Sequence, residues 1–164
     1  MLDTRCSMLD ARCSMLDTRR RERHMTYKSY RDLDIYKKAH KLAIETHEMS
    51  LNLPNFELHE EGNQIRKSSK SVKSNIVEGF GRRRYKQEFI KFLIYSISSC
   101  DETRDHLDTL YETKSLNSKN QYAYFCEEYD HLGKMINNFI KSVDEGHKTR
   151  IQNRESRIKN GKLL

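Results

Sequence analysis

Tryptophan is absent from this chain, proline occurs once and glycine six times, and only 35% of the 164 residues are hydrophobic. A β-sandwich or a doubly wound sheet draws on buried strands and turn residues in larger supply, so the composition argues for exposed amphipathic helices instead. Long apolar runs are missing too. The strongest, Phe89 to Ile97, is broken by Lys91 and Ser96 and falls short of the roughly 18 apolar residues that a spanning helix needs. No membrane partner is expected. The N-terminus lacks a secretory core, because Asp3, Arg5, Asp10 and Arg12 interrupt it, and this points to the cytoplasm. Cys6, Cys13, Cys100 and Cys126 form no CxxC pair, so neither zinc nor a disulfide framework is indicated.

What is present is charge, at 34% of residues, with a formal net of +7. Its distribution carries the information. The first 24 residues hold two net positive charges, residues 25–145 none, and residues 146–164 five. Inside the neutral middle, Gln64 to Lys91 concentrates Arg66, Lys67, Lys70, Lys73, Arg82, Arg83, Arg84, Lys86 and Lys91 against Glu78 and Glu88 alone. The remainder of the middle is correspondingly acidic.

Residues 1–21 repeat a seven-residue unit, MLDTRCS, MLDARCS, MLDTRRR. Leu2, Cys6, Leu9, Cys13 and Leu16 have coiled-coil spacing, yet the run is under three heptads and lacks complementary flanking charges. The preferred reading is a translated repeat ahead of a natural start at Met25, so residues 1–24 are set apart from the fold as a disordered or non-native leader.

From Asp32 the apolar residues Ile35, Ala39, Leu42, Thr46, Met49 and Leu53 step by four and three, which predicts a first helix stopped by Pro54. A second opens near Glu57, whose early acids suit the positive end of the helix dipole, and buries Leu58, Ile65, Ser69, Val72 and Ile76. Gly79-Phe80-Gly81 predicts a left-handed glycine cap at its end. Ser68, Ser69, Ser71 and Ser74 on this helix would let a neighbouring backbone come close. A third helix runs from about Arg84 to Lys114, and its Phe89–Ile97 segment is apolar on more than one face, as expected of a helix with two neighbours and a further subunit contact. After the break at Ser115–Asn120, Tyr122, Phe125, Tyr129, Leu132, Ile136, Phe139 or Ile140, and Val143 make a fourth stripe ending at Gly146. The fold class is all-α, an antiparallel up-down four-helix bundle over residues 25–146. Residues 147–164 read as a basic flexible tail, with an arm touching nucleic acid as the alternative.

The known chemistries of helical bundles find little to build on. A di-iron site needs two Glu-x-x-His motifs and two further inward carboxylates, and Glu128-x-x-His131 stands alone. His59-Glu60-Glu61-Gly62-Asn63 lacks the second histidine of a zinc hydrolase. The Arg and His pair of small helical ribonucleases occurs only around Arg19 and His24, inside the leader. Gly79-x-Gly81 is a helix-to-helix turn and no phosphate loop, and Cys100 and Cys126 have no histidine at helical spacing. No catalytic residue, cofactor, metal or small-molecule substrate is expected. What remains is Asn75, Glu78, Gly79 and Gly81. Glu78 sits at the negative end of its helix, where a cation from Arg82, Arg83 or Arg66 would compensate it, so this group reads as a polar clamp on the turn, with a ligand or RNA site as the sharper alternative.

Gln64-Ile65-Arg66, Ser71-Val72, Ser74-Asn75-Ile76-Val77-Glu78-Gly79-Phe80-Gly81-Arg82-Arg83 and Glu88-Phe89-Ile90-Lys91-Phe92-Leu93 resemble the 23S rRNA intervening-sequence proteins. The opening Tyr30-Arg31-Asp32-Leu33-Asp34-Ile35-Tyr36-Lys37-Lys38-Ala39 fits as well, and the likeness covers about residues 28–145. It departs at Ser68 and Ser69, where the family has small apolar residues, at Lys73, often proline there, and at Tyr36, commonly Trp. The resemblance implies a bundle assembling as a ring, typically a homopentamer, with genes often lying in insertions within bacterial ribosomal RNA genes. It implies no established catalysis, and distant relatives of similar shape bind nucleic acid. The leading expectation is therefore a non-enzymatic homo-oligomer that binds RNA or DNA through Arg66, Lys67, Lys70, Lys73, Arg82, Arg83, Arg84 and Lys86, whose phosphate contacts position the partner without reading its sequence. The alternative is a structural or protein-interaction scaffold whose basic segment pairs with a neighbouring subunit.

Overall fold

The computed structural model describes the backbone of residues 27–160 and the side chains of residues 27–146; the repeated leader lies outside them. Ser29 opens the chain as a capping box. Its hydroxyl accepts from the Arg31 amide at 3.2 Å while the Asp32 carboxylate accepts from the Ser29 amide at 2.9 Å, closing one 3-10 turn over Tyr30–Asp32.

Helix α1 (Asp34–Leu51) buries Ile35, Ala39, Leu42, Thr46 and Met49, the stripe its spacing predicts. Helix α2 (Glu61–Gly81) begins four residues later than its acids suggest. The reason is tertiary: the Glu57 carboxylate turns inward and accepts from the buried Ser115 hydroxyl at 2.8 Å, and the Glu57 carbonyl receives the Gly62 amide at 2.7 Å, so residues 54–60 form a turn. Helices α3 (Lys86–Glu112) and α4 (Lys119–Asn160) complete the set. They pack in a cycle, α1 on α2, α2 on α3, α3 on α4 and α4 on α1, as an up-down bundle does. No helix among the described residues is long and apolar enough to cross a membrane.

Small residues line the contact between α2 and α3. Ser68 and Ser69 are buried and Ser71 half-buried, but Ser74 faces out and bonds back to the Lys70 carbonyl at 2.9 Å. Across the seam Thr103 donates to Ser68 Oγ at 2.9 Å, Ser99 to Ser71 Oγ at 3.0 Å, and Ser96 to the Val72 carbonyl at 2.8 Å. Each of these hydroxyls thus has a partner, which offsets the cost of taking it out of water. Gly79 continues the seam. A Cβ there would lie 2.9 Å from Phe92 Cβ and 3.2 Å from Phe89 Cδ2.

Two sequence expectations need correction. No described glycine has positive φ, so Gly79 and Gly81 are helical and α2 ends at Arg82 with φ −94° and ψ 7°, without a left-handed cap. The stop comes from the turn's own bonds: the Arg82 amide reaches the Glu78 and Gly79 carbonyls, and the Arg83 guanidinium reaches the Phe80 carbonyl at 3.0 Å. Gly146 likewise does not end α4, which continues through Asn160. A helical glycine costs only about 1 kcal/mol relative to alanine, too little to interrupt a long helix.

Helix α3 touches both neighbours through Phe89, Leu93, Ser96, Cys100, Thr103, Leu107 and Leu110, and leaves Ile94 and Tyr95 52% and 46% exposed. Helix α4 buries Phe125, Tyr129, Leu132 and Ile136. It is tied to α1 by a buried bond between the Thr46 and Tyr129 hydroxyls at 2.8 Å and by the Lys38–Glu128 ion pair.

Candidate nucleic-acid interface

The α2 core stripe, Ile65, Ser69, Val72 and Ile76, fixes which residues face outward. Lys67 and Lys70 are exposed and Lys73 half-buried at steps of three, so one long face of the helix carries three ammonium groups. Arg84 is exposed in the following turn. None of these four side chains has a hydrogen bond or ion pair among the described residues.

The other predicted basic residues are placed differently. Arg82 donates to Glu78 Oε1 at 2.8 Å, lies 3.6 Å from Glu88 and covers the Phe92 ring at 4.8 Å. Arg83 stands over the Phe80 ring at 4.1 Å. Both stay exposed, and exposed ion pairs of this kind contribute at most about 1 kcal/mol, so a phosphate could take over the guanidinium groups at small cost. Arg66 and Lys86 are structural. Arg66 spans from Ser50 Oγ at 3.1 Å to the Leu58 carbonyl at 2.7 Å, locking the α1–α2 turn, and Lys86 is ion-paired with Asp144 across α3 and α4. The predicted set of eight therefore divides by what each cation already holds.

The polar clamp divides as well. Arg82, of the three cations expected, supplies the partner of Glu78, at the end of the helix where a carboxylate is otherwise unfavourable. Asn75 belongs to the seam, donating to Ser71 Oγ at 3.2 Å and Ser99 Oγ at 3.4 Å. Gly79 admits the two phenylalanines, whereas a Cβ on Gly81 would have nothing within 4 Å.

Both described cysteines are held as thiols. Burial pushes the Cys100 thiol up to about 12, and it raises the Cys126 thiol as well. The Tyr129 phenol is raised by burial and the Tyr122 phenol by its hydrogen bond to Asp108. Glu128 and His131 do not act together, since Glu128 pairs with Lys38 while His131 is exposed, and no group of three potential metal ligands occurs among the described residues. The pairs that the sequence did not show are long-range: His106 Nδ1 lies 2.7 Å from Glu61, and Glu57 meets Ser115. Only packing brings such residues together.

The model of one protein family, described as 23S rRNA-intervening sequence protein, matches residues 31–138. Among solved structures, the crystal structure of a protein of unknown function from the S23 ribosomal protein family of Bacteroides thetaiotaomicron VPI-5482 is similar, with a TM-score of 0.60 and 22% identity over 65% of this chain and 95% of that one. This likeness speaks for the shared helical fold. No curated protein matches the chain.

Proposed function

Starting from a chain that belongs to the 23S rRNA-intervening sequence protein family, we propose that it is a non-enzymatic cytoplasmic protein that binds RNA or another nucleic acid through the outer face of α2 and the turn after it. One observation carries the reading: Lys67, Lys70, Lys73 and Arg84 stand along that surface without partners among the described residues. Cations held ready in this way displace the counterions of the phosphates they bind, and that release is the main source of sequence-independent affinity. Arg82 and Arg83 extend the surface.

A ring of copies belongs to the same proposal. The exposed apolar side chains Ile94 and Tyr95 lie on α3, while Ile44 lies on α1, two helices that do not touch each other in the bundle. Different patches on different sides suit a heterologous contact, which closes into a ring when the rotation allows. Repeating a weak basic site around the ring raises avidity by roughly a hundredfold or more.

The test is binding of the full chain to ribosomal RNA fragments, unrelated RNA and duplex DNA across a salt titration. Replacing Lys67, Lys70, Lys73 and Arg84 by Gln lowers the salt slope by about three to four, at about 0.9 for each phosphate no longer neutralised, and weakens binding to every sequence alike. Absence of binding at low salt by the assembled protein overturns the reading in favour of a protein-interaction scaffold.

A further inference from the structure

Helix α1 shows rings on the side that meets α2. Ser50 marks that side by accepting from Arg66 of α2, while Lys38 and Glu45 reach Glu128 and Tyr124 of α4. Tyr36 precedes Ser50 by about four helical turns and so shares its row, and His40 follows Tyr36 by one turn. The Tyr36 and His40 rings are parallel within 8°, with centroids 5.8 Å apart. Tyr30 of the 3-10 turn meets Tyr36 nearly at right angles at 4.9 Å and meets Phe80, at the end of α2, at 6.5 Å. The rings thus form one row from α1 to α2. Cations accompany it. Arg31 lies over the Tyr30 ring at 5.8 Å and Arg83 over the Phe80 ring at 4.1 Å, and Lys73 stands on the Phe80 row of α2, about 10 Å earlier along the helix. His40, Arg31 and Arg83 are exposed, and Tyr30, Tyr36 and Lys73 are half-buried. The neighbouring acids are already engaged, Asp32 by the Ser29 amide, Asp34 by Lys37 and Glu78 by Arg82.

We infer that this row is a stacking site for unpaired bases, so that the nucleic acid held is single-stranded, with bases continuing the Tyr36–His40 stack and lying on the Arg83 guanidinium. The inference deepens the nucleic-acid reading and rests on it. Single strands are held where cations that neutralise phosphates alternate with planar groups that accept any base by its face, and the row from His40 to Arg83 has that composition. Guanidinium planes stack on bases as rings do. A duplex keeps its bases stacked on one another and offers phosphates and groove edges, for which these rings have no use. Core packing accounts for the inner parts of Tyr30 and Tyr36, which touch the apolar cluster. It does not account for His40, an exposed ring set parallel to Tyr36, or for two exposed arginines placed over successive rings.

The experiment titrates the full chain, across a range of salt, with an RNA strand of about 12 bases, the matching DNA strand, an abasic strand of equal length and the corresponding duplex. The wild-type chain is expected to bind the RNA or the DNA strand at least tenfold more tightly than the abasic strand, which has the same phosphates and no bases. Comparison of the two base-bearing strands tells which sugar is preferred. The variant Tyr36→Leu with His40→Ala keeps an apolar side chain against the core, and it should lose about tenfold or more on the base-bearing strand with its salt slope unchanged, because every cation remains. Abasic and duplex binding should stay as they were. Circular dichroism checks the fold, and His40→Ala alone, at an exposed side chain, should by itself cost about fivefold. Tyr36→Phe keeps the ring and should retain affinity. Unchanged affinity of both Ala variants for the base-bearing strand overturns the inference, as does wild-type binding that is equal with and without bases. Equal loss on all four probes, or a loss with Tyr36→Phe as large as with the double variant, overturns it too. If the K67Q, K70Q, K73Q and R84Q variant still loses binding in the same series, the function proposed above survives that failure. A change in oligomeric mass with strand binding intact assigns the rings to a neighbouring copy and overturns the stacking site. Wild-type chain that binds none of the probes at low salt removes both readings together.

Discussion

Gly79 is the residue on which the approach of α2 to α3 depends. With Phe92 Cβ 2.9 Å from a Cβ placed there and the Phe89 carbonyl at 3.4 Å, Gly79→Ala must push the Phe89 ring and the α3 backbone that carries Phe92 aside. The expected cost is about 1–3 kcal/mol, measured by urea denaturation. Gly81→Ala should do the opposite, adding up to about 1 kcal/mol, because the position is helical and open and alanine narrows the unfolded ensemble. Cys100 makes a second residue-scale prediction. Its thiol is ordinarily near 9.0 and is raised by burial to about 12 in the fold, so the unfolded chain loses this proton first. The stability it lends is complete below pH 9 and declines as pH rises toward about 12, with the raised Tyr129 phenol adding a decline of the same sign. Urea midpoints at pH 8 and pH 10.5 should show the fall, and Cys100→Ala should flatten part of it. The sequence showed that Cys100 has no histidine at helical spacing to activate it, but it did not show the two roles of the paired glycines. The sequence puts them two residues apart with equal claims to a cap, and only the position of α3 separates them.

At the scale of elements, the helices stop for different reasons. Helix α3 ends with Lys114 at φ 61°, a left-handed conformation in which a Cβ is strained by roughly 1–2 kcal/mol. Lys114→Gly removes that strain, less glycine's larger unfolded-state entropy, for a net gain of about 0.5–1 kcal/mol and a rise of about 2–4 °C in Tm by scanning calorimetry. Periodicity located α1 through α4 because each buries one stripe, and the start of α3 fell within two residues of its expected place. It misjudged ends governed by distant partners. Glu57 is drawn to Ser115 and delays α2; Gly146 is a local case, a single helical glycine whose cost is too small to stop α4.

For the whole molecule, the proposed ring makes a prediction about the apolar surface outside the core. If the proposed ring forms through α3, Ile94→Lys with Tyr95→Lys places charge on that exposed face without entering the core, so helicity and thermal unfolding of the subunit should persist while the sedimenting mass falls to that of one subunit. A mass in solution unchanged by these substitutions would remove α3 from the proposed ring contact. The basic segment belongs to this scale as well. Its charge density was evident along the chain, whereas the division into free, shared and committed cations depends on where Ser50, Leu58 and Asp144 stand relative to Arg66 and Lys86.

The sequence by itself determined the helical class, the number of bundle helices, the core stripes and the concentration of positive charge between Gln64 and Lys91, because these follow from local periodicity and composition. Tertiary structure decided which cations remain open, which glycine packs and where α2 begins. Those outcomes rest on contacts between residues far apart in the chain, such as Lys86 with Asp144 and Ser115 with Glu57, and no short-range pattern encodes which distant partner a polar side chain will find once the helices close on one another.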